Sequence, residues 1–374
     1  MNKQTDLRRI LAATGFFVYL VTPGFAVDEE TATIITFDVP GAGNASGQGT
    51  IPFANNLWGA ITGEWIDANG VVHGFVRHTN GNIISFDGPG AVSLTQGEGI
   101  NNSGFIAGNY VDGNNVGHGL LRAPDGTITS FDAPGAGLQP YQWTNALGIN
   151  SSGVIAGSYQ DVNGVWHSFL RSSRGTFTSF DAPGAGSNTI WGQGTYVQWA
   201  QDLTEDGTVA SWTQNADSIF EGYVRRPDGT FVTLSLPGGG TGWHQGTGTY
   251  AINSQGIVVG FYTDANYTNH GFFGRPNGPF TEFDLPIGGT SWAAGTTPTN
   301  IAAGGEIAGY YGDVNGVQHG FIRHPDGTYT SFDAPGAGTG WGQGTFVNDQ
   351  NALGQITGYY VDANGANHGF VRMP

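Results

Sequence analysis

The chain has 374 residues, of which 65 are Gly, 13% are aromatic and 11% are charged, and its formal net charge is −17. This composition disfavours disorder, which requires few aromatic residues, and helical bundles, whose interiors are destabilised by Gly. The acidic excess disfavours binding to nucleic acids and to anionic membranes. The absence of Cys excludes thiol nucleophiles, thiolate metal sites and disulfides.

Residues 1–26 are predicted to form a cleaved signal peptide. Three basic residues precede an apolar stretch from Ile10 to Val21 that is too short to span a bilayer, and small residues follow it. We therefore expect export to the periplasm, the cell surface or the medium, with no integral membrane segment in the mature protein. An uncleaved membrane anchor is the alternative. The mature chain contains no Lys, which also excludes Schiff-base chemistry.

Residues 27–374 are predicted to form one domain of seven repeats of about 50 residues each. The element Phe37-Asp38-Val39-Pro40-Gly41 recurs in variants that begin at Phe86, Phe131, Phe180, Leu234, Phe283 and Phe332. An element related to His-Gly-Phe-Val-Arg begins at His73, His118, His167, Glu221, His270, His319 and His368. The two elements alternate along the chain, so one copy of each belongs to every repeat.

Each repeat contains four segments of strand length, which we label a to d, separated by turn residues such as Pro124-Asp125-Gly126. Four strands per repeat of this length are typical of a β-propeller blade. The chain ends after strand c of the last repeat, and Ile34 to Asp38 supplies an additional strand d at the beginning. We therefore predict an all-β, seven-bladed β-propeller in which the N-terminal strand completes the C-terminal blade.

A His in strand c and an Asp after strand d are paired by their spacing. In five repeats they stand 14 positions apart, as in His118 and Asp132. A short hairpin places such residues opposite each other on one face of the sheet. In the repeat that has Glu221, the corresponding residue is Ser235, which avoids two facing carboxylates. We interpret the pairs as hydrogen-bonded structural pins; acid–base dyads or metal ligands are the functional alternative.

These elements resemble the HAF-type extracellular repeat family over essentially the whole mature chain. The family's His-Ala-Phe element corresponds to His-Gly-Phe here, as in His73-Gly74-Phe75. Its Gly-Ile-Asn element corresponds to Gly148-Ile149-Asn150. The resemblance implies export and a propeller-like fold, and it implies no particular reaction.

Candidate ligand-binding residues lie in the loops that connect strand d to the next strand a. Several of these loops contain Trp, Gln and Gly close together, a combination that suits the C–H faces and hydroxyl edges of a sugar. The candidates are Trp143, Trp191, Gln193, Trp243, Gln245, Trp292, Trp341 and Gln343. The alternative is that these side chains only fill the space between neighbouring blades.

The fourth repeat is irregular and offers candidates for catalysis. Its unusual residues are Trp199, Asp202, Glu205, Asp206, Trp212 and Glu221. Two of the carboxylates could serve as acid and base in a polysaccharide hydrolase or lyase, but neutral divergence of one repeat explains them equally well. The Asp-x-Asn-Gly turns carry too few carboxylates for a dedicated calcium loop. We therefore expect no metal site and no cofactor, and we assign no catalytic residue.

The sequence favours an exported, monomeric, non-catalytic binding module. Its expected partner is a neutral glycan or polysaccharide, or another cell-surface molecule, bound through the Trp- and Gln-containing loops. An extracellular polysaccharide hydrolase or lyase and a purely structural surface protein are the two alternatives that the sequence leaves open.

Overall fold

A computed structural model describes residues 25–27, 32–188, 193–198, 203–286, 288–289 and 295–374. The described residues form β-strands, turns and loops, and none of them lies in a helix. The predicted positions Trp191, Trp199, Asp202 and Trp292 fall outside the described residues, as does nearly all of the predicted signal peptide.

The described strands recur in the order a, b, c, d. Strand a comprises, in successive repeats, Gly49–Asn55, Thr95–Ile100, Thr144–Ile149, Gly194–Thr195, Gly246–Ile252, Gly295–Ile301 and Gly344–Gln350. Strand b comprises Ile61–Ile66, Ile106–Val111, Ile155–Gln160, Val209–Gln214, Val258–Thr263, Ile307–Gly312 and Ile356–Val361. Strand c comprises Val72–Arg77, Gly117–Arg122, Trp166–Arg171, Phe220–Arg225, Asn269–Gly274, Gln318–Arg323 and Asn367–Arg372. Strand d comprises Ile83–Phe86, Ile128–Phe131, Phe177–Phe180, Phe231–Leu234, Phe280–Phe283, Tyr329–Phe332 and, for the last repeat, Ile34–Phe37.

Within a repeat, the strands pair antiparallel in chain order, as in the second repeat, where strand b joins strand a to strand c. The c–d hairpins are closed by local chemistry. In Pro124-Asp125-Gly126, the Asp125 side chain accepts a hydrogen bond from the Thr127 N–H at 2.9 Å, and Gly126 adopts a φ of 93°. A positive φ of this kind favours Gly, which explains why Gly ends this turn in repeat after repeat.

Consecutive repeats are joined by a parallel bridge from the start of strand c to the start of the next strand a. The bridged pairs are Val72 and Leu94, Gly117 and Trp143, Trp166 and Gly194, Phe220 and Gly246, Asn269 and Gly295, Gln318 and Gly344, and Asn367 and Gly49. The last pair connects the seventh repeat to the first.

The N-terminal and C-terminal strands also pair. Ile34–Phe37 runs antiparallel to Asn367–Arg372, and Asp38 lies 3.0 Å from His368. In the first repeat, Ile83 of strand d is opposite Arg77 of strand c. Here Ile34 is opposite Arg372 in the same way, so the two strand pairs have the same register. The additional strand Phe25–Val27 runs parallel to the strand d that begins at Tyr329.

The hydrophobic core lies between consecutive repeats. One cluster contains Val76 and Phe86 of the first repeat and Leu120 of the second, and another contains Phe75 of the first repeat and Val371 of the last. Because the strands alternate in direction, the b–c turns and d–a loops share one face, which we call the d–a face. The a–b turns and c–d hairpins share the opposite face, the a–b face.

An Arg at the end of strand c stacks on a Phe in strand d of the preceding repeat. The stacked pairs are Arg77 and Phe37, Arg122 and Phe86, Arg171 and Phe131, Arg225 and Phe180, Arg323 and Phe283, and Arg372 and Phe332. Between the fourth and fifth repeats, the corresponding residues are Gly274 and Leu234, so this contact cannot form.

Candidate functional site

The described candidate Trp residues lie on the d–a face, each against the b–c turn of the preceding repeat. Trp143 is half-buried against Gly117, and Trp341 lies against Gly316. Trp243 stacks on His244 with 3.6 Å between ring centroids. Trp243 and Trp341 are 54% and 67% exposed, so their outer faces are available to a ligand.

The candidate Gln side chains are engaged in the loops that carry them. In each, Oε1 accepts a hydrogen bond from a main-chain N–H of the same loop, at 3.0 Å for Gln193, 2.7 Å for Gln245 and 2.8 Å for Gln343. The amide groups of Gln193 and Gln343 also donate to carbonyl oxygens of the following b–c turn, at 2.9 and 3.2 Å. These bonds shape the loops and occupy the atoms that a ligand would need.

The carboxylates predicted in the fourth repeat do not come together. Glu205 and Asp206 lie in the turn that precedes strand b, on the a–b face. Glu221 begins strand c at the opposite face, where its Oε1 accepts a hydrogen bond from Asn215 at 3.3 Å. An acid–base pair cannot be assembled from Glu221 and the other two, because the length of the sheet separates them.

The predicted His–Asp pairs are present and form a repeated structural pin. The His Nδ1 lies 2.8 to 3.1 Å from a carboxylate oxygen in the pairs His73 and Asp87, His118 and Asp132, His167 and Asp181, His270 and Asp284, His319 and Asp333, and His368 and Asp38. Each ring also stacks on an aromatic side chain of strand b, as His270 does on Tyr262 at 4.8 Å. These contacts hold strands b, c and d in register. Within the described ranges, no group of three or more His, Asp or Glu side chains is arranged to hold a metal ion.

One cavity, which we call the central channel, is lined by residues of every described repeat. It lies at the a–b face, has a volume of about 310 Å³, and includes Asn55, Ile149, Ile252 and Asp349 in its lining. Strands a of the first three repeats contact one another in chain order, as do those of the last three, and strand a of the last repeat contacts that of the first. The channel is therefore a common site to which every repeat contributes side chains.

One position in strand b differs strongly between repeats, and we call its residues the inner ring. In order along the chain, they are Glu64, Asn109, Ser158, Trp212, Phe261, Tyr310 and Tyr359. Each lies opposite a strand-a residue, as Glu64 does opposite Ile51 and Tyr359 does opposite Phe346. The first three repeats thus contribute polar side chains, and the last four contribute aromatic rings.

The polar arc of the inner ring contains hydrogen-bonded carboxylate and amide groups. Gln96 donates to Glu64 at 2.6 Å, and Asn109 donates to Asn145 at 3.2 Å. Burial, together with the nearby charge of Glu64, raises the pKa of Glu98 to about 8, although part of the Glu98 surface is open to the channel. Burial also raises the pKa of Glu64. At neutral pH, Glu98 is therefore mainly protonated and can donate a hydrogen bond.

The aromatic arc is formed by stacked and tilted rings. Phe346 and Tyr359 are parallel within 3° at 4.8 Å, and Tyr196 stacks on Trp212 at 4.6 Å. Tyr310 lies 5.3 Å from Phe346. Burial raises the pKa of Tyr196 and Tyr359, so both hydroxyls stay protonated as hydrogen-bond donors. This wall offers flat apolar faces with polar edges.

The inner ring was missed at the sequence level, although the repeats contain its signal. The fourth residue of strand b changes from Glu64 in the first repeat to Tyr359 in the last, whereas the residues on either side of it change little. Glu98 lies at an irregularity in strand a, where the register shifts between Gly97 and Gly99. Such bulges redirect side chains next to functional sites, and their position is not evident from spacing alone.

Comparison with known proteins shows the fold. A streptogramin B lyase structure shares 14% identity at a TM-score of 0.54, covering 91% of this chain and 97% of that one. Virginiamycin B lyase from Staphylococcus aureus shares 12% identity at a TM-score of 0.52, covering 92% of this chain and 100% of that one. The BP39L lectin from Burkholderia pseudomallei shares 10% identity at a TM-score of 0.52, covering 83% of this chain and 91% of that one. The chain is an all-β protein with a β-propeller fold.

Neither a protein-family model nor a curated protein matches the chain. The resemblance to HAF-type repeats therefore stays a prediction. In the described residues, no helix is long and apolar enough to cross a membrane.

Proposed function

We propose that the protein is an exported, seven-bladed β-propeller of the HAF-repeat type that binds a neutral carbohydrate without transforming it. Each repeat is one blade, and strand Ile34–Phe37 completes the last blade. The pairing of this strand with Asn367–Arg372 and the bridge from Asn367 to Gly49 support a closed ring. Cleavage of residues 1–26 is tested by sequencing the N-terminus of the secreted protein.

The binding site of this proposal is the central channel at its d–a end, where the inner ring lies. The division of this ring into a polar arc and an aromatic arc carries the proposal. A pyranose presents C–H faces that pack on aromatic rings and hydroxyls that bond to amides and carboxyl groups. The raised pKa of Glu98 favours a neutral ligand, because the protonated carboxyl group can donate a hydrogen bond without carrying a charge. The solved structure that is called a lectin has the same fold, which is compatible with this use.

A glycan array followed by calorimetry on the best neutral ligand tests the site. Tyr359→Leu removes a ring of the aromatic arc while keeping an apolar side chain, and we expect affinity to fall about tenfold or more. Trp58→Ala is the matched control, since Trp58 is a 65% exposed aromatic residue on the opposite face. Binding by Tyr359→Leu at wild-type affinity, or no binding to any neutral glycan, contradicts the proposal.

The exposed Trp residues of the d–a loops define a competing location for the same function. A Trp243→Ala, Trp341→Ala double variant separates the two. Loss of binding in this double variant, with binding retained by Tyr359→Leu, would move the site from the channel to the loops.

The Glu64 and Glu98 carboxyl groups favour a second candidate function, acid–base catalysis on a saccharide. Burial, and secondarily the nearby charge of Glu64, raises the pKa of Glu98 to about 8, as expected of a general acid near neutrality. Turnover of a panel of polysaccharides, lost in Glu98→Gln while affinity is retained, would establish this activity. No turnover across the panel leaves binding as the function.

A further inference from the structure

The Arg–Phe contact between repeats is absent at a single interface of the described structure. At the interface between the second and third repeats, the Arg171 guanidinium lies 4.5 Å above the Phe131 ring. Between the fourth and fifth repeats, Leu234 replaces the ring and Gly274 replaces the Arg. Both partners of the contact are therefore absent at the same interface.

A large pocket lies at this same interface, on the a–b face. It encloses about 530 Å³, within the range of small-molecule sites. The corresponding cavity between the second and third repeats, where Arg171 is in place, encloses about 200 Å³. The loss of one Arg–Phe contact thus coincides with a more than twofold larger cavity.

The pocket attracts an anion through two arginines. Six of the described arginines are stacked on Phe, and the three outside that set, Arg174, Arg226 and Arg275, are exposed. Arg226 and Arg275 both line this pocket. Arg275 donates one hydrogen bond, to the Gln255 carbonyl at 2.9 Å, and Arg226 interacts electrostatically with the exposed carboxylate of Asp228 in the adjacent hairpin. In a chain of net charge −17, two such cations at one cavity form a distinct electrostatic feature.

The carboxylates of the pocket are oriented by hydrogen bonds within their own turn and from the a–b turn of the preceding repeat. Asp206 accepts hydrogen bonds from the Thr204 hydroxyl at 2.5 Å and from the Thr208 N–H at 3.0 Å. Both oxygens of Glu205 accept from the Ser151 N–H at 3.1 Å. Their remaining lone pairs can accept hydrogen bonds from ligand hydroxyls. A polyanion would be repelled here, whereas a ligand with one carboxylate and several hydroxyls meets complementary groups.

We propose that this pocket is a binding site for an acidic sugar, with the ligand carboxylate held by Arg226 and Arg275. Planar guanidinium groups bind carboxylates through paired, charge-assisted hydrogen bonds. Val224 and Ile252, which are largely buried, form the apolar base of the pocket. Glu205 and Asp206 accept hydrogen bonds from the sugar hydroxyls. The site goes beyond the proposed function, because it lies on the opposite face from the inner ring and takes a charged ligand.

Calorimetry with galacturonic acid, which carries one carboxylate, and with its methyl ester tests the site. The ester keeps the shape of the sugar and removes the charge. We expect the acid to bind about tenfold more tightly than the ester and to lose affinity as NaCl is raised. The Arg226→Gln, Arg275→Gln double variant should bind the acid about tenfold more weakly, close to the ester, with an unchanged melting temperature.

Arg174→Gln is the matched control, because Arg174 is equally exposed in a c–d hairpin but lies outside the pocket. Ser254→Trp, at the pocket lining, provides a second test through steric block and should also weaken binding. Tyr359→Leu should leave acidic-sugar binding intact, which separates this site from the channel. Equal affinity for acid and ester, or an equal loss of affinity in Arg174→Gln, would overturn the proposal. Displacement by inorganic sulfate at the same concentration, or no binding of galacturonate, mannuronate and glucuronate monosaccharides, would overturn it as well.

Discussion

The interface between the second and third repeats and the interface between the fourth and fifth are built from the same strands but are filled differently. In the first, Arg171 lies between Phe131 and Phe177, at 4.5 and 5.8 Å from their ring centroids. In the second, Gly274 and Leu234 stand at the corresponding positions, and a pocket lies on the a–b face of the interface. The side chains that recur in most repeats maintain packing, and the candidate sites lie where one repeat departs from the others.

The central channel follows the same rule. At the start of each strand a, a Thr hydroxyl accepts a hydrogen bond from the main chain after strand d, as Thr50 does from Val39 at 3.0 Å and Thr345 does from Ala334 at 2.9 Å. The strand-a residues that follow these Thr residues lie opposite the inner ring, whose side chains change from Glu64 to Tyr359. We therefore expect substitutions at recurring positions to change stability and substitutions at divergent positions to change binding.

The largest expected effect is a loss of stability in Arg171→Ala. This substitution removes the cation–π contacts and leaves a void between two repeats, which should lower the free energy of unfolding by about 2 kcal/mol. Arg275→Ala, at the open interface, should change it by less than about 0.5 kcal/mol, because the side chain is exposed. Urea denaturation of both variants measures the difference. Equal effects would show that the Arg–Phe contacts do not support the interfaces.

A divergent position should behave in the opposite way, and Glu98→Gln tests this. The native pKa of Glu98 is raised to about 8 from an ordinary value of 4.5, so the protonated form favours folding. Stability from this group is therefore lost as pH rises from about 4.5 through about 8. Glu98→Gln should be more stable than wild type at pH 8, by about 1–2 kcal/mol, and similar to it at pH 5. A penalty at pH 8 would contradict the buried, neutral state of Glu98.

The recurring part of the molecule could be predicted from the sequence because its determinants are local. Hairpin turns such as Pro124-Asp125-Gly126 set the register, and the register sets the pairing of His118 with Asp132, which the structure confirms at 2.8 Å. The all-β propeller fold followed from the same spacing and is confirmed. Strand order and turn chemistry need no knowledge of distant contacts.

The candidate sites could be predicted only in part because they depend on contacts between repeats. Leu234 was recognised as a degenerate position, but its consequence requires knowing that Gly274 of the next repeat faces it. The amide of Gln193 looked available in sequence, and its hydrogen bonds to its own loop became evident only in three dimensions. The raised pKa of Glu98 depends on burial by neighbouring repeats, which no spacing reveals.

A smaller effect is expected when the missing ring is restored in Leu234→Phe. Gly222 lies opposite Leu234 in the sheet, as Gly74 lies opposite Phe86 in the first repeat. The ring of Phe86 covers Gly74 closely, so the Gly at position 222 retains room for a ring. The additional apolar burial should raise stability by about 1 kcal/mol and reduce acidic-sugar binding. Thermal unfolding and calorimetry measure both; a clear destabilisation would show that the interface has repacked around Leu234.

The smallest effect concerns the His–Asp pins and separates a recurring pair from an unpaired His. The hydrogen bond that the His270 ring donates to Asp284 raises the pKa of His270 above its ordinary value of 6.5, so the protonated ring favours folding. This contribution is complete below about pH 6.5 and is lost as pH rises through the raised pKa. His270→Gln should therefore cost more folding stability at pH 6 than at pH 8, by less than about 1 kcal/mol.

His78→Gln is the control, because His78 follows strand c and has no Asp partner among the described pins. Melting temperatures of the two variants and wild type, recorded between pH 6 and pH 8, decide the matter. If the cost of His270→Gln is the same at both ends of that range, the pin acts through neutral hydrogen bonding and ring stacking on Tyr262 rather than through charge.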